Sequence, residues 1–191
     1  DFNNTEKNGN NRTCKADELP LLVENGPEVE QIKEIIGGKT KKGSKATRAA
    51  FLALAGRPRI LHLATHACVD DSEPARSRIF FSDDHLYAHE LYDIPLAAEM
   101  VVLSACETGV GTFRRGEGVM SLARGFASSG APSLTLSYWS VSDKSTAEIM
   151  AHYYRHLANG KPKHQALQAA KLDYLSTQEQ TRYLHPYYWA A

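Results

Sequence analysis

The chain has 191 residues, 42% hydrophobic and 23% charged, enough apolar material for a domain with a real core and ordinary for a soluble globular protein. Lys plus Arg equals Asp plus Glu at 22 each, so bulk charge makes no case for nucleic acid or an anionic membrane surface as partner. No apolar run approaches the roughly 20 residues that span a bilayer, and Cys14, Cys68 and Cys106 show no CxxC spacing; this speaks against a disulfide framework or zinc knuckle and for a reducing, cytoplasmic compartment.

Residues 1–18 carry five asparagines and almost nothing apolar, and read as a flexible lead-in rather than a signal peptide; 19–191 read as one domain. Leu19 to Val23 suit a short extended piece before an Asn25-Gly26-Pro27 turn. Val29, Ile32, Ile35 and Ile36 then recur at helical spacing, with Glu28 and Glu30 in the first turn and Gly37-Gly38 as the stop. Residues 39–44 form a basic, glycine-containing loop that lacks the Walker spacing and reads as a solvated turn. A second helix over 45–55 places Ala49, Leu52 and Ala53 on one face.

Ile60 to Thr65 is the first clear strand, and period two puts His62, Ala64 and His66 on one of its faces. Residues 67–77 read as an acidic, polar loop, 78–82 as a strand, and 85–91 as a short strand followed by a helical turn. Met100 to Leu103 is wholly apolar, as a fully buried strand is, and breaks at once into Ser104, Ala105 and Cys106. A loop with four glycines spans 107–118, a helix with Val119, Leu122 and Phe126 inside spans 118–128, and a strand spans 133–137. Two amphipathic helices over 143–158 and 163–176 follow, and the aromatic run His185 to Trp189 reads as the entry to another strand. The alternation of strand and helix implies an α/β architecture with a mostly parallel sheet.

Cys106 stands at the carboxyl end of a buried strand, where open α/β sheets build their sites, and His66 stands at the end of another. A thiol and an imidazole so placed are what a cysteine hydrolase needs, although a free cysteine is more often inert packing. His62 reads as a core histidine, His85 and His89 as solvated or structural ones. His62, His66 and Cys68 could share a metal, but no fourth ligand is placed, so none is expected, and Cys68 reads as a bystander. Asp143 admits two roles, a carboxylate facing a pocket beside the cysteine or the N-cap of the helix that follows.

Leu61-His62-Leu63-Ala64-Thr65-His66 and Leu103-Ser104-Ala105-Cys106-Glu107-Thr108-Gly109 resemble the two signature segments of CHAT domains, caspase-like peptidase relatives often fused to tetratricopeptide repeats. The likeness continues through Arg115-Gly116-Glu117-Gly118-Val119, Trp139 to Asp143, and His185-Pro186-Tyr187-Tyr188-Trp189. It implies a caspase-hemoglobinase fold, a three-layer α/β/α sandwich, and a cysteine endopeptidase akin to separase, caspases and clostripain-type enzymes. The resemblance further implies a dyad of His66 and Cys106, an oxyanion hole from the backbone N–H groups of Ala67 and Cys106, and substrate contacts from Trp139 and Asp143 that favour cleavage after Arg or Lys. It implies no cofactor, a protein or peptide substrate, and regulation by tetratricopeptide repeats in the same or a partner chain. Ala67 stands where the family usually has Gly, and its Cβ restricts φ beside the histidine; Tyr138 stands where the family has Leu. The resemblance also implies core strands before Asp1 and after Trp189, so the chain is expected to be a piece of a larger polypeptide. The alternative to an active peptidase is a catalytically idle interaction or signalling module of the same fold.

Overall fold

Met100-Val101-Val102-Leu103 is apolar at every position because helices and a second sheet cover both of its faces, leaving these residues at most 2% exposed. The computed structural model describes residues 25–54, 59–68, 74–104, 113–114, 118–119, 122–139 and 142–191. Its central sheet has three parallel strands in the order β1 (Ile60–Leu63), β5 (Met100–Leu103) and β8 (Leu134–Leu136). A second, antiparallel sheet joins β2 (Ala67–Cys68), β3 (Arg78–Phe80) and β4 (His85–Tyr87), and β6 (Phe113–Arg114) pairs with β7 (Gly118–Val119).

Met100 and Val102 point into one layer, formed by α1 (Asn25–Ile36), α4 (Asp143–Ala158) and α5 (Lys163–Thr177). There Tyr153, Tyr154 and Tyr174 are almost wholly buried, and Ala166 and Ala170, one turn apart on α5, are small enough to let the helices approach closely. Val101 and Leu103 point into the opposite layer, against Leu61, Ile79, Leu86, Leu91 and the α3 (Leu122–Ser128) residues Leu122 and Phe126. Each large side chain so removed from water contributes roughly 1.5–3 kcal/mol. The arrangement is the α/β sandwich that the alternation of elements implied.

Several local expectations are corrected. Asn25-Gly26-Pro27 is the first turn of α1, since Pro lacks an N–H that would have no helical partner there. In α2 (Arg48–Leu54) the buried residue is Phe51, which packs on Phe81; Leu52 is 42% exposed and Ala49 and Ala53 are also exposed. One aromatic ring outweighed the leucine and two alanines of the face chosen by spacing. Part of the expected loop 67–77 is β2, and Val119 lies in β7 ahead of α3. The run after His185 is a 3-10 turn, Pro186–Tyr188, closed by the Tyr187 N–H donating to His185 Nδ1, rather than a strand entry. The lead-in and Leu19 to Val23 lie outside the described residues.

Candidate active site

The pairing of β1 with β5 sets the site. Leu63 lies opposite Leu103, and the Ser104 N–H donates to the Leu63 carbonyl at 3.0 Å. His66 follows Leu63 by three residues and Cys106 follows Leu103 by three. Cys106 itself, with the 105–112 segment after β5, lies outside the described residues. On the other side of β5, Leu136 is in register with Leu103, so all three strands run out at the same end of the sheet, followed there by Ser137 to Trp139 and, after 142, by α4.

His66 is half-buried, and its backbone is tied to β3: the Phe80 N–H donates to the His66 carbonyl at 2.9 Å, and the Thr65 hydroxyl donates to the Phe80 carbonyl at 2.7 Å. The next residue, Ala67, faces Ile79 in the antiparallel register. Because the ladder bond falls on the Phe80–His66 pair, the Ala67–Ile79 pair is the non-hydrogen-bonded kind, and the Ala67 N–H points away from β3. Ala67 is in extended strand geometry, open to any L-residue, and its methyl group is buried in the core. The Cβ expected to disturb this position is accommodated by packing.

The other face of β1 carries a buried polar group. His62 Nε2 lies 3.2 Å from Glu28 Oε1 of α1, off the line of a good hydrogen bond, and His62 Nδ1 lies 2.9 Å from the Tyr154 hydroxyl of α4. Burial pushes the Tyr154 phenol far above its ordinary range, with Tyr153 and Glu28 adding to the effect, so it is a neutral O–H. That hydroxyl donates to Nδ1 or accepts from it according to the imidazole tautomer. One turn before Glu28, the Asn25 side-chain amide donates to the Ala64 carbonyl at 3.0 Å. Sequence reasoning placed Glu28 only as a first-turn charge and missed Tyr154. A signal was present: Glu28 precedes Ile32 by four residues and Ile35 by seven, which sets it on the apolar stripe of α1.

Asp143 is the first residue of α4 and Ser142 its cap, so the carboxylate sits in the first turn, where the helix dipole favours it, and is not the N-cap. The Trp139 indole N–H donates to the Tyr187 carbonyl at 2.9 Å, which ties the β8 exit to the aromatic run. A cleft opens at the ends of β5 and β8, lined among others by Ser104, Ser137, Thr146, Lys171 and Trp189. Burial lowers the Lys171 pKa, and its ammonium donates to the Ala191 carbonyl at 3.1 Å. Neither His66 nor Asp143 lines this cleft. His89 bonds the Ala75 carbonyl through Nδ1 and stacks on Tyr87, and His85 stands edge-on to Tyr87, in the structural roles expected.

Cys68 is disulfide-bonded, which corrects its reading as a bystander. Cys14 and Cys106 lie outside the described residues. Among the described residues no group of three His, Cys, Asp or Glu side chains is arranged to hold a metal, and no helix is long and apolar enough to cross a membrane. In comparisons with known proteins, the family model of the CHAT domain matches residues 10–191. No curated protein matches the chain.

Proposed function

Because this chain belongs to the CHAT domain family, a family related to caspase-like peptidases, we propose that it is a cysteine endopeptidase that cleaves after Arg or Lys. The observation that carries this reading is the register of β1 and β5. Parallel pairing at about 4.8 Å puts Leu63 opposite Leu103, and in the sequence His66 and Cys106 each follow these positions by three residues, which supports the pairing of the two in one site.

In this mechanism the Cys106 thiolate attacks the scissile carbonyl after His66 takes its proton, and the resulting imidazolium gives that proton to the leaving amine. Water then releases the acyl group, with His66 again the base. The backbone N–H groups of Ala67 and Cys106 hold the tetrahedral oxyanion, each such donor being worth roughly 10²–10³ in rate. For Ala67 this is supported by an N–H directed away from β3. Asp143 pairs with the basic side chain before the cleaved bond, and Trp139 borders the same exit of the sheet. Tetratricopeptide repeats in the same or a partner chain are the regulatory input in this reading.

A fluorogenic peptide ending in Arg or Lys tests the proposal. Wild-type protein is expected to release the fluorophore, Cys106→Ala and His66→Ala to lose that activity, and Asp143→Ala to lose the preference for basic residues. Full activity in Cys106→Ala overturns the mechanism, and undiminished basic preference in Asp143→Ala overturns the specificity assignment. An interaction or signalling module would instead keep its function in Cys106→Ala while cleaving nothing.

A further inference from the structure

Three successive residues lead from β1 into the candidate site, and each is held by a different polar bond. The Ala64 carbonyl accepts from Asn25 of α1, the Thr65 hydroxyl donates to the Phe80 carbonyl, and the His66 carbonyl accepts from the Phe80 N–H. The β3 side of this clamp follows from strand pairing. The α1 side does not, because it depends on two particular side chains in the first turn of a helix that packs mainly on α4.

Glu28 is 5% exposed, and among the described residues the His62 ring, 3.2 Å away, is the ionisable group that faces it. Burying a carboxylate is costly, and an apolar pair of similar volume usually serves stability as well or better. A buried polar pair does, however, define one register where an apolar contact tolerates several. Here it fixes the azimuth and height of α1 against β1, and at that setting Asn25 reaches Ala64, two residues before His66.

We infer that the first turn of α1 is a positioning element for the candidate base: the Glu28–His62–Tyr154 chain sets the helix, and Asn25 then holds the β1 exit so that His66 is presented in one place. This rests on the peptidase reading for its catalytic consequence. The anchoring itself does not. Asn25, Glu28 and Tyr154 act through the backbone and are not catalytic residues.

The test has two arms, both on the full chain. In the first, hydrogen exchange is followed in the peptide covering 61–68. Asn25→Ala and Glu28→Ala are expected to speed exchange there at least several-fold while the α5 amides keep their protection; unchanged exchange in that peptide overturns the anchoring. In the second, cleavage kinetics are compared. Both variants are expected to lower kcat about tenfold or more with KM changed less than twofold, since misplacing a reacting group by about 1 Å can cost ~10² in rate. Glu28→Gln, which keeps the size and polarity of the side chain facing His62 Nε2, is expected to recover most of the wild-type kcat, which a need for negative charge alone would not allow. Wild-type kcat in both alanine variants overturns the catalytic consequence. If the wild-type chain cleaves nothing, the peptidase reading fails and the exchange arm still decides the anchoring.

Discussion

The Ser104 amide donates to the Leu63 carbonyl at 3.0 Å, which locks the ends of β5 and β1 to one another where the two candidate catalytic segments depart. Residues that act as one unit lose their joint contribution when either is removed. Cys106→Ala and His66→Ala are therefore expected to be strongly non-additive: the double variant should be no slower than the slower single variant. Multiplying defects, measured as kcat/KM on one basic peptide, would show that the two residues work independently.

Gly125 lies in α3 against the 3-10 turn Ala88–Asp93, where a methyl group would stand 2.8 Å from Leu91 Cδ1 and 3.0 Å from both the Ala88 carbonyl oxygen and Leu91 Cβ. The leucine tip can yield, but the backbone oxygen and Cβ cannot without moving the turn. Gly125→Ala is expected to destabilise the fold by about 1–3 kcal/mol, as overpacking does, despite the better helix propensity of alanine. Urea denaturation checks this. Wild-type stability would mean that the turn moves freely.

His152 of α4 lies 3.5 Å from Asp173 Oδ2 of α5, and His156, one turn on, binds the same oxygen at 2.6 Å. Burial lowers the His152 pKa below its ordinary 6.5, with Arg155 acting in the same direction; Asp173 and Glu148 oppose it and His156 adds to it. A base whose folded pKa is depressed takes up its proton more readily when unfolded. Its contribution to stability is therefore complete above about pH 6.5 and lost as pH falls through that value toward the folded pKa. His152→Gln is expected to show a smaller drop in Tm than the wild type between pH 7.5 and 5. Equal drops in both proteins would contradict the assignment.

Cys68 is disulfide-bonded, and the chain has two other cysteines, Cys14 and Cys106. Peptide mapping of never-reduced protein is expected to recover Cys68 in a cross-linked peptide. Complete alkylation of Cys68 without reductant would contradict this. If the other half contains Cys106, peptidase activity should require reductant, because the thiolate is the nucleophile.

The long regular elements were legible in the sequence. The spacing of apolar residues over 143–158 and 163–176 marks α4 and α5 almost to the residue, and the unbroken apolar run at Met100 marks β5. Short elements were not. β2 has two residues, too few for any periodicity, and exists because β3 offers it a partner. The aromatic run at Tyr187 has strand composition but a preceding Pro186 that starts a turn. Phe51 shows the same limit in α2, where the position of a core across the chain, not the local pattern, chose the buried face.

For the site, the sequence by itself determined the chemistry at hand: a cysteine and a histidine at the ends of two apolar runs, within segments that mark the family. Side-chain types and short spacings are local properties, and they are written in the chain. Tertiary structure alone decided that β1 and β5 are neighbours with Leu63 opposite Leu103, that Ala67 fits a strand with its N–H turned from β3, and that Glu28, His62 and Tyr154 meet in the core. Those relations join residues from 12 to 126 positions apart (Ala67–Ile79 and Glu28–Tyr154), and at such separations it is packing and hydrogen bonding across elements, not local propensity, that selects which residues touch.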